Sequence, residues 1–145
     1  MQCPPRRLLV GVDFSEASRE AVRYAAGLVA ALGGELTLLH VVDNAPILNA
    51  SPLVGGAPPG SLADLPSVET EAMRAVERMA SDSAPGAQCE VRVGSPAQEL
   101  CARASDADLL LVGAHGKRAL RHLLLGSTSE QTMRRSPVPV LIIRA

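Results

Sequence analysis

Short aliphatic runs constrain the fold of this chain more than any other feature. Leu8-Leu9-Val10-Gly11-Val12, Leu36 to Val42, and Leu109 to Val112 within Asp108–Gly113 are almost continuously apolar, and Val138 to Ile143 is strongly so. Unbroken apolar runs of this length mark strands buried on both faces, the condition of a parallel sheet covered by helices. Helical patterns fill the intervals between them. Ser15 is placed to cap a helix whose apolar stripe runs Ala21, Val22, Ala25, Leu28, Val29 and Leu32 before Gly33-Gly34 stops it. A second helix starts near Ser67, buries Ala72, Ala75, Val76 and Met79, and ends at Ala84-Pro85-Gly86. Cys89 to Val93 reads as a further, shorter strand. Ser95-Pro96-Ala97-Gln98 opens the next helix with an N-cap serine, a proline at the first position and a glutamine at the capping-box position. Ser127-x-x-Glu130 reads as another capping box, opening a helix that closes at Arg134-Arg135 and Ser136-Pro137. The order βαβ-βαβαβ predicts an α/β fold: one open five-stranded parallel sheet with helices on both faces, in a single domain over residues 1–145.

Composition narrows the function. Hydrophobic residues make up 47% of the chain and charged residues 20%, which suits a packed core rather than a disordered polymer. Phe14 and Tyr24 are the only aromatic residues, too few to stack the bases of single-stranded nucleic acid. Fourteen basic residues against fifteen acidic ones leave no overall pull toward DNA or an anionic membrane. The apolar run after Arg6-Arg7 ends at Asp13 after five residues. Signal peptides need roughly 7–15 and membrane spans about 20, so a cytosolic protein is expected. Cys3, Cys89 and Cys101 form no C-x-x-C pair, and Cys89 and Cys101 are expected as small core residues.

Ligands of open parallel sheets bind beyond the carboxyl ends of the strands, where the strand order reverses. Two strand ends carry suitable chemistry. One runs Val12-Asp13-Phe14-Ser15. The other runs Gly113-Ala114-His115-Gly116, continues through Lys117 and Arg118, and reaches Gly126-Ser127-Thr128-Ser129 with the spacing G-x2-G-x9-G-S. Glycines let backbone amides approach an anion, and a helix opening at Gly126-Ser127 presents unpaired amides and a positive dipole end. The hydroxyls of Ser127, Thr128 and Ser129 add donors, Lys117 and Arg118 add charge, and Asp13 is a carboxylate acceptor for a base or sugar. The same residues also fit a tight turn, a capping box and a strand terminus with no ligand at all. Both readings stand on local physics. There is no G-x-x-x-x-G-K-[ST], no G-x-G-x-x-G after the first strand, no G-x-S-x-G and no H-E-x-x-H. Nor is there a complete set of nucleophile, base and orienting group.

The glycine signature, with Val10-Gly11-Val12-Asp13-Phe14-Ser15, Leu39-His40-Val41-Val42 and Ser136-Pro137-Val138-Pro139-Val140-Leu141-Ile142, resembles the nucleotide-binding branch of the universal stress proteins from Arg6 to Arg144. The resemblance implies a sheet of order 3-2-1-4-5 and ATP lying across the strand ends, often with a divalent metal such as Mg2+ on its phosphates. It implies adenine beside Val12, Asp13 and the backbone of Val41. Ribose and phosphates would follow Gly113, Ala114, His115, Gly116 and then Gly126 to Ser129. A regulatory ATP-binding protein of the stress response is the implied function. The alternatives are a slow ATPase, a cyclic-AMP binder and an interaction module without nucleotide. A homodimer through Val138 to Ile143 is also implied. The chain departs from many members at Asn44 to Pro66, where 23 residues hold five prolines and three glycines. That loop is expected to be mobile and protease-sensitive, as a lid over the base or an insertion without a role.

Overall fold

The computed structural model describes residues 4–45, 64–115 and 125–145. Strands β1 (Arg7–Val12), β2 (Glu35–Asp43), β3 (Gln88–Gly94), β4 (Leu109–Gly113) and β5 (Val140–Ile143) form one parallel sheet in the order β3-β2-β1-β4-β5. The described residues contain helices α1 (Glu16–Leu32), α2 (Leu65–Ser83), α3 (Pro96–Ala104) and α4 (Ser127–Arg135). This is the expected architecture. Strand order reverses at β1, which pairs with β2 on one side and with β4 on the other in the register Leu8↔Leu109 and Val10↔Leu111.

Alternation along each strand divides the apolar runs between two cores. Leu8, Val10 and Val12, with Leu36, Leu38 and Leu111, pack against Ala21, Val22 and Ala25 of α1 and Val76 and Met79 of α2. Leu9, Leu39, Val41, Leu110 and Val112 face the other way, onto Leu100 and Ala104 of α3. Both faces of the strands therefore need apolar side chains, each contributing roughly 1.5–3 kcal/mol when fully buried. β3 is an edge strand and is less apolar. Its Glu90 accepts from Nε of Arg103 at 3.0 Å on both carboxylate oxygens, and its Arg92 lies 3.4 Å from Glu99, so ion pairs help to hold α3 there.

The N-terminal edge of the sheet is closed by one carboxylate. Asp108, with a side chain 1% exposed, accepts hydrogen bonds from the backbone N–H of Arg6 (3.0 Å) and Arg7 (2.9 Å) and from Nη2 of Arg7 (2.9 Å). The Arg7 side-chain and backbone bonds hold its carboxyl well below the usual carboxylate range. Next to it, Gly34 at φ +121° passes so close to Arg6 that a Cβ would lie 2.2 Å from the Arg6 carbonyl oxygen. The second glycine of the pair that ends α1 is thus also required by this close approach of backbone to backbone.

Several sequence expectations need correction. The capping box at Ser127 is absent: Gly126 is the N-cap, with extended backbone at φ −69° and ψ 151°, and no side chain caps the helix. The helix begins with Ser127 as its first residue, and Glu130 pairs with Arg134 instead. The last strand starts at Val140 rather than Val138, because Ser136 Oγ donates to the Val138 carbonyl (2.7 Å) and accepts from its N–H (3.2 Å) in a local turn. Cys89 and Cys101 are half-buried rather than fully buried, Cys89 packing at the margin of the core beneath α1 and α2, and burial pushes both thiols up. Leu32 is exposed. The expectations for the loop 44–66 fall on residues 46–63, which lie outside the described residues, as does Cys3.

Candidate functional site

At the C-terminal end of β1 the chain turns sharply. Phe14 adopts a left-handed backbone at φ +62°, uncommon for a residue with a side chain. That turn brings Ser15 back onto Asp13, whose Oδ1 accepts from the Ser15 N–H at 3.0 Å and from the Ser15 hydroxyl. Ser15 Oγ in turn accepts from the Ser18 N–H at 3.2 Å, so it caps α1 as its position predicts. Asp13 is exposed, and among the described residues its Oδ2 has no hydrogen-bond partner. From β2, His40 Nδ1 lies 2.6 Å from the Val12 carbonyl oxygen. A carbonyl only accepts, so Nδ1 carries the hydrogen. The His40 ring meets Phe14 with centroids 4.7 Å apart.

The end of β4 is built differently. A Cβ on Gly113 would lie 2.9 Å from backbone atoms of Ala17 and Ser18, so α1 rests directly on this glycine. Ala114 is fully buried; its N–H donates to the Ile143 carbonyl (2.7 Å) and its carbonyl accepts from Gly126 N–H (2.8 Å). Those bonds place the start of α4 beside the end of β4. Ser129 Oγ donates to the Gly113 carbonyl at 2.6 Å, which fixes the first turn of the helix. The first intrahelical bond runs from Glu130 N–H to the Gly126 carbonyl. The amides of Ser127, Thr128 and Ser129 therefore have no partner within the helix. Ser127 and Thr128 are exposed.

Between the two strand ends lies a cavity of about 720 Å3. Its floor is apolar, formed by Gly11, Leu39, Val41 and Val112. Val68 and Ala72 of α2 wall one side, and Pro96 and Leu100 of α3 line it as well. Asp13 and Asp43 stand at strand ends on its rim, while Gly126, Ser127, Thr128 and Ser129 line the α4 end. One part of the cavity thus suits a flat apolar group bearing a hydrogen-bond donor, and another suits an anion.

Of the residues singled out from sequence, Val12, Asp13, Val41, Gly113, Gly126, Ser127, Thr128 and Ser129 line this cavity. Ala114 and His115 follow β4 and do not line it; His115 Nδ1 is buried without a partner among the described residues. Gly116, Lys117 and Arg118 lie outside the described residues. Sequence reasoning missed Gly11, His40 and the walls from α2 and α3. Gly11 carries a readable signal, a glycine inside an apolar strand: a Cβ there would meet Leu100 at 3.0 Å and Val112 at 3.3 Å. Val68 and Ala72 carry none, because only packing of α2 on β2 and β3 brings them to the strand ends.

An open parallel sheet with a ligand-sized cavity where its strand order reverses defines the class, a doubly wound α/β protein. Within that class the chain belongs to the universal stress protein family, whose model matches residues 5–144. It is 30% identical over 145 residues to universal stress protein MJ0531 of Methanocaldococcus jannaschii, covering 96% of this chain and 82% of that one. The solved structure of MJ0577, described as a hypothetical protein, superposes with a TM-score of 0.78 at 25% identity, covering 97% of this chain and 96% of the other. A universal stress protein solved in complex with cAMP superposes at 0.62 with 27% identity, covering 97% of each chain.

Proposed function

We propose that this protein binds ATP across the ends of β1, β2 and β4 and acts as a cytosolic regulatory protein of the stress response. The observation that carries the reading is the division of chemistry within one cavity. Helix amides without an intrahelical partner and the exposed hydroxyls of Ser127 and Thr128 stand at one part, and an apolar floor with the Asp13 carboxylate forms another. Phosphates fit the first, where the positive end of the α4 dipole adds to the amide donors. Adenine fits the second, its flat face on Val41 and Leu39 and its amine toward Asp13. The family resemblance assigns Gly116 and Arg118, which lie outside the described residues, to the phosphates as well. Among the described residues no three His, Cys, Asp or Glu side chains gather to hold a metal ion. Mg2+ therefore fits as an ion carried by the phosphates, with the Ser127 and Thr128 hydroxyls as the hard oxygen donors at hand. When bound, it would neutralise phosphate charge.

Regulation would pass through a homodimer. β5 is the sheet edge, its four residues are half-buried, and both its faces are apolar: Val140 and Ile142 pack toward one core, Leu141 and Ile143 toward the other. A second copy would cover that edge, which Pro139 alone blunts. Light scattering reads this part directly, a dimer being expected and a stable 15.1 kDa species rejecting it.

The test of the ligand is mass spectrometry of small molecules released when freshly purified protein is denatured. ATP is the expected species. Cyclic AMP, the ligand in the solved relative, would redirect the reading within the adenine nucleotides; no nucleotide here or in equilibrium dialysis would replace it with the interaction-module alternative.

A further inference from the structure

We propose that Ser15 is a positioning residue for the ligand as well as the cap of α1. The inference rests on the ATP reading above and concerns how Asp13 is aimed. A carboxylate on an exposed strand end turns freely about its side-chain torsions and presents either oxygen. Here one oxygen is committed. Oδ1 of Asp13 receives both the backbone N–H of Ser15, at 3.0 Å, and the Ser15 hydroxyl, while Oδ2 has no hydrogen-bond partner among the described residues on the rim of the cavity. Ser15 is buried, and its own oxygen is held by the Ser18 N–H, so the donor does not swing away. The left-handed backbone of Phe14, packed against His40, is what folds Ser15 back onto Asp13. Aiming one acceptor before the ligand arrives removes an ordering cost from binding. Capping alone needs only the bond between Ser15 and Ser18; the second bond, to Asp13, goes beyond it.

The test is a double-mutant cycle on ATP affinity, read by calorimetry with Mg2+ present, with melting temperatures recorded beside it. Ser15→Ala is expected to weaken ATP about 3- to 10-fold, the range of one hydrogen bond. Ser15→Thr, which keeps the hydroxyl, is expected to bind as wild type. Ser15→Gly removes the hydroxyl but leaves a residue well tolerated at an N-cap. It is expected to repeat the loss should the alanine variant fold poorly. In an Asp13→Ala background, Ser15→Ala should cause no further loss. The same loss in both backgrounds, or no loss beside an Asp13→Ala variant that is clearly weakened, overturns the positioning role and leaves the ATP reading intact. Wild-type protein that does not bind ATP overturns the reading itself.

Discussion

At the N-terminal edge of the sheet, polar groups are spent. Asp108 is buried and takes two backbone amides and a guanidinium from the neighbouring strand's start, and Gly34 lets the chain cross over Arg6 with no room for a side chain. At the C-terminal edge, polar groups are held in reserve. Asp13 Oδ2 lacks a partner among the described residues, and the first amides of α4 have none within the helix. A cavity of about 720 Å3 separates these groups. The same strands run between both edges, so the contrast is not one of local propensity. One edge converts charge into stability; the other leaves it uncommitted, as the proposed nucleotide site requires.

The contrast is open to attack from both sides. The largest effect is expected from Gly126→Val, which sets an isopropyl group over the amides of α4. ATP affinity should fall more than about 100-fold, the loss of at least two hydrogen bonds to charged oxygen. The fold should survive because φ −69° and ψ 151° are open to valine; circular dichroism and calorimetry read the two effects. Asp108→Asn should do the reverse, lowering melting temperature at neutral pH while leaving ATP affinity unchanged. The folded-state pKa of Asp108 lies below its unfolded value of 3.8, so its stabilisation is present above about pH 4 and is lost as pH falls further. Wild type and variant should therefore converge in thermal melts on acidification through that range. Ser127→Ala sharpens the comparison further. Ser127 caps nothing, so the variant should melt as wild type yet bind ATP roughly 10- to 100-fold more weakly, the value of a bond to a charged acceptor. Glu130→Ala should be the mildest change. Its carboxylate only pairs with Arg134 across one turn, so denaturation should show a loss of about 0.3–0.5 kcal/mol, against roughly 1 kcal/mol for a cap.

The sheet was legible in the sequence because strands buried on both faces leave few polar positions, such as Thr37 and His40 in β2, to blur the pattern. Its edges were less so. β3 alternates Glu90 and Arg92 with apolar residues, and β5 begins two residues late because Ser136 folds back on Val138. On the candidate site, the Asp13 and Gly126 ends were readable as motifs, since each joins a strand or loop to a helix start. Gly113 was readable only as a glycine; its packing reason, α1 lying within 2.9 Å of an added Cβ, depends on a contact across the sheet's face. The capping box at Ser127 misled because a serine three residues before a glutamate fits two registers. Gly126, held to Ala114 by a backbone bond, decides between them. Val68, Leu100 and His40 reach the cavity through tertiary packing alone.

Titration of wild-type protein with ATP and Mg2+ in a calorimeter tests the central claim most directly. Saturable binding of one ATP per chain, unchanged in Asp108→Asn and absent in Gly126→Val, is the predicted result. Wild-type protein that takes up no adenine nucleotide, or a Gly126→Val variant that binds as tightly as wild type, would contradict it.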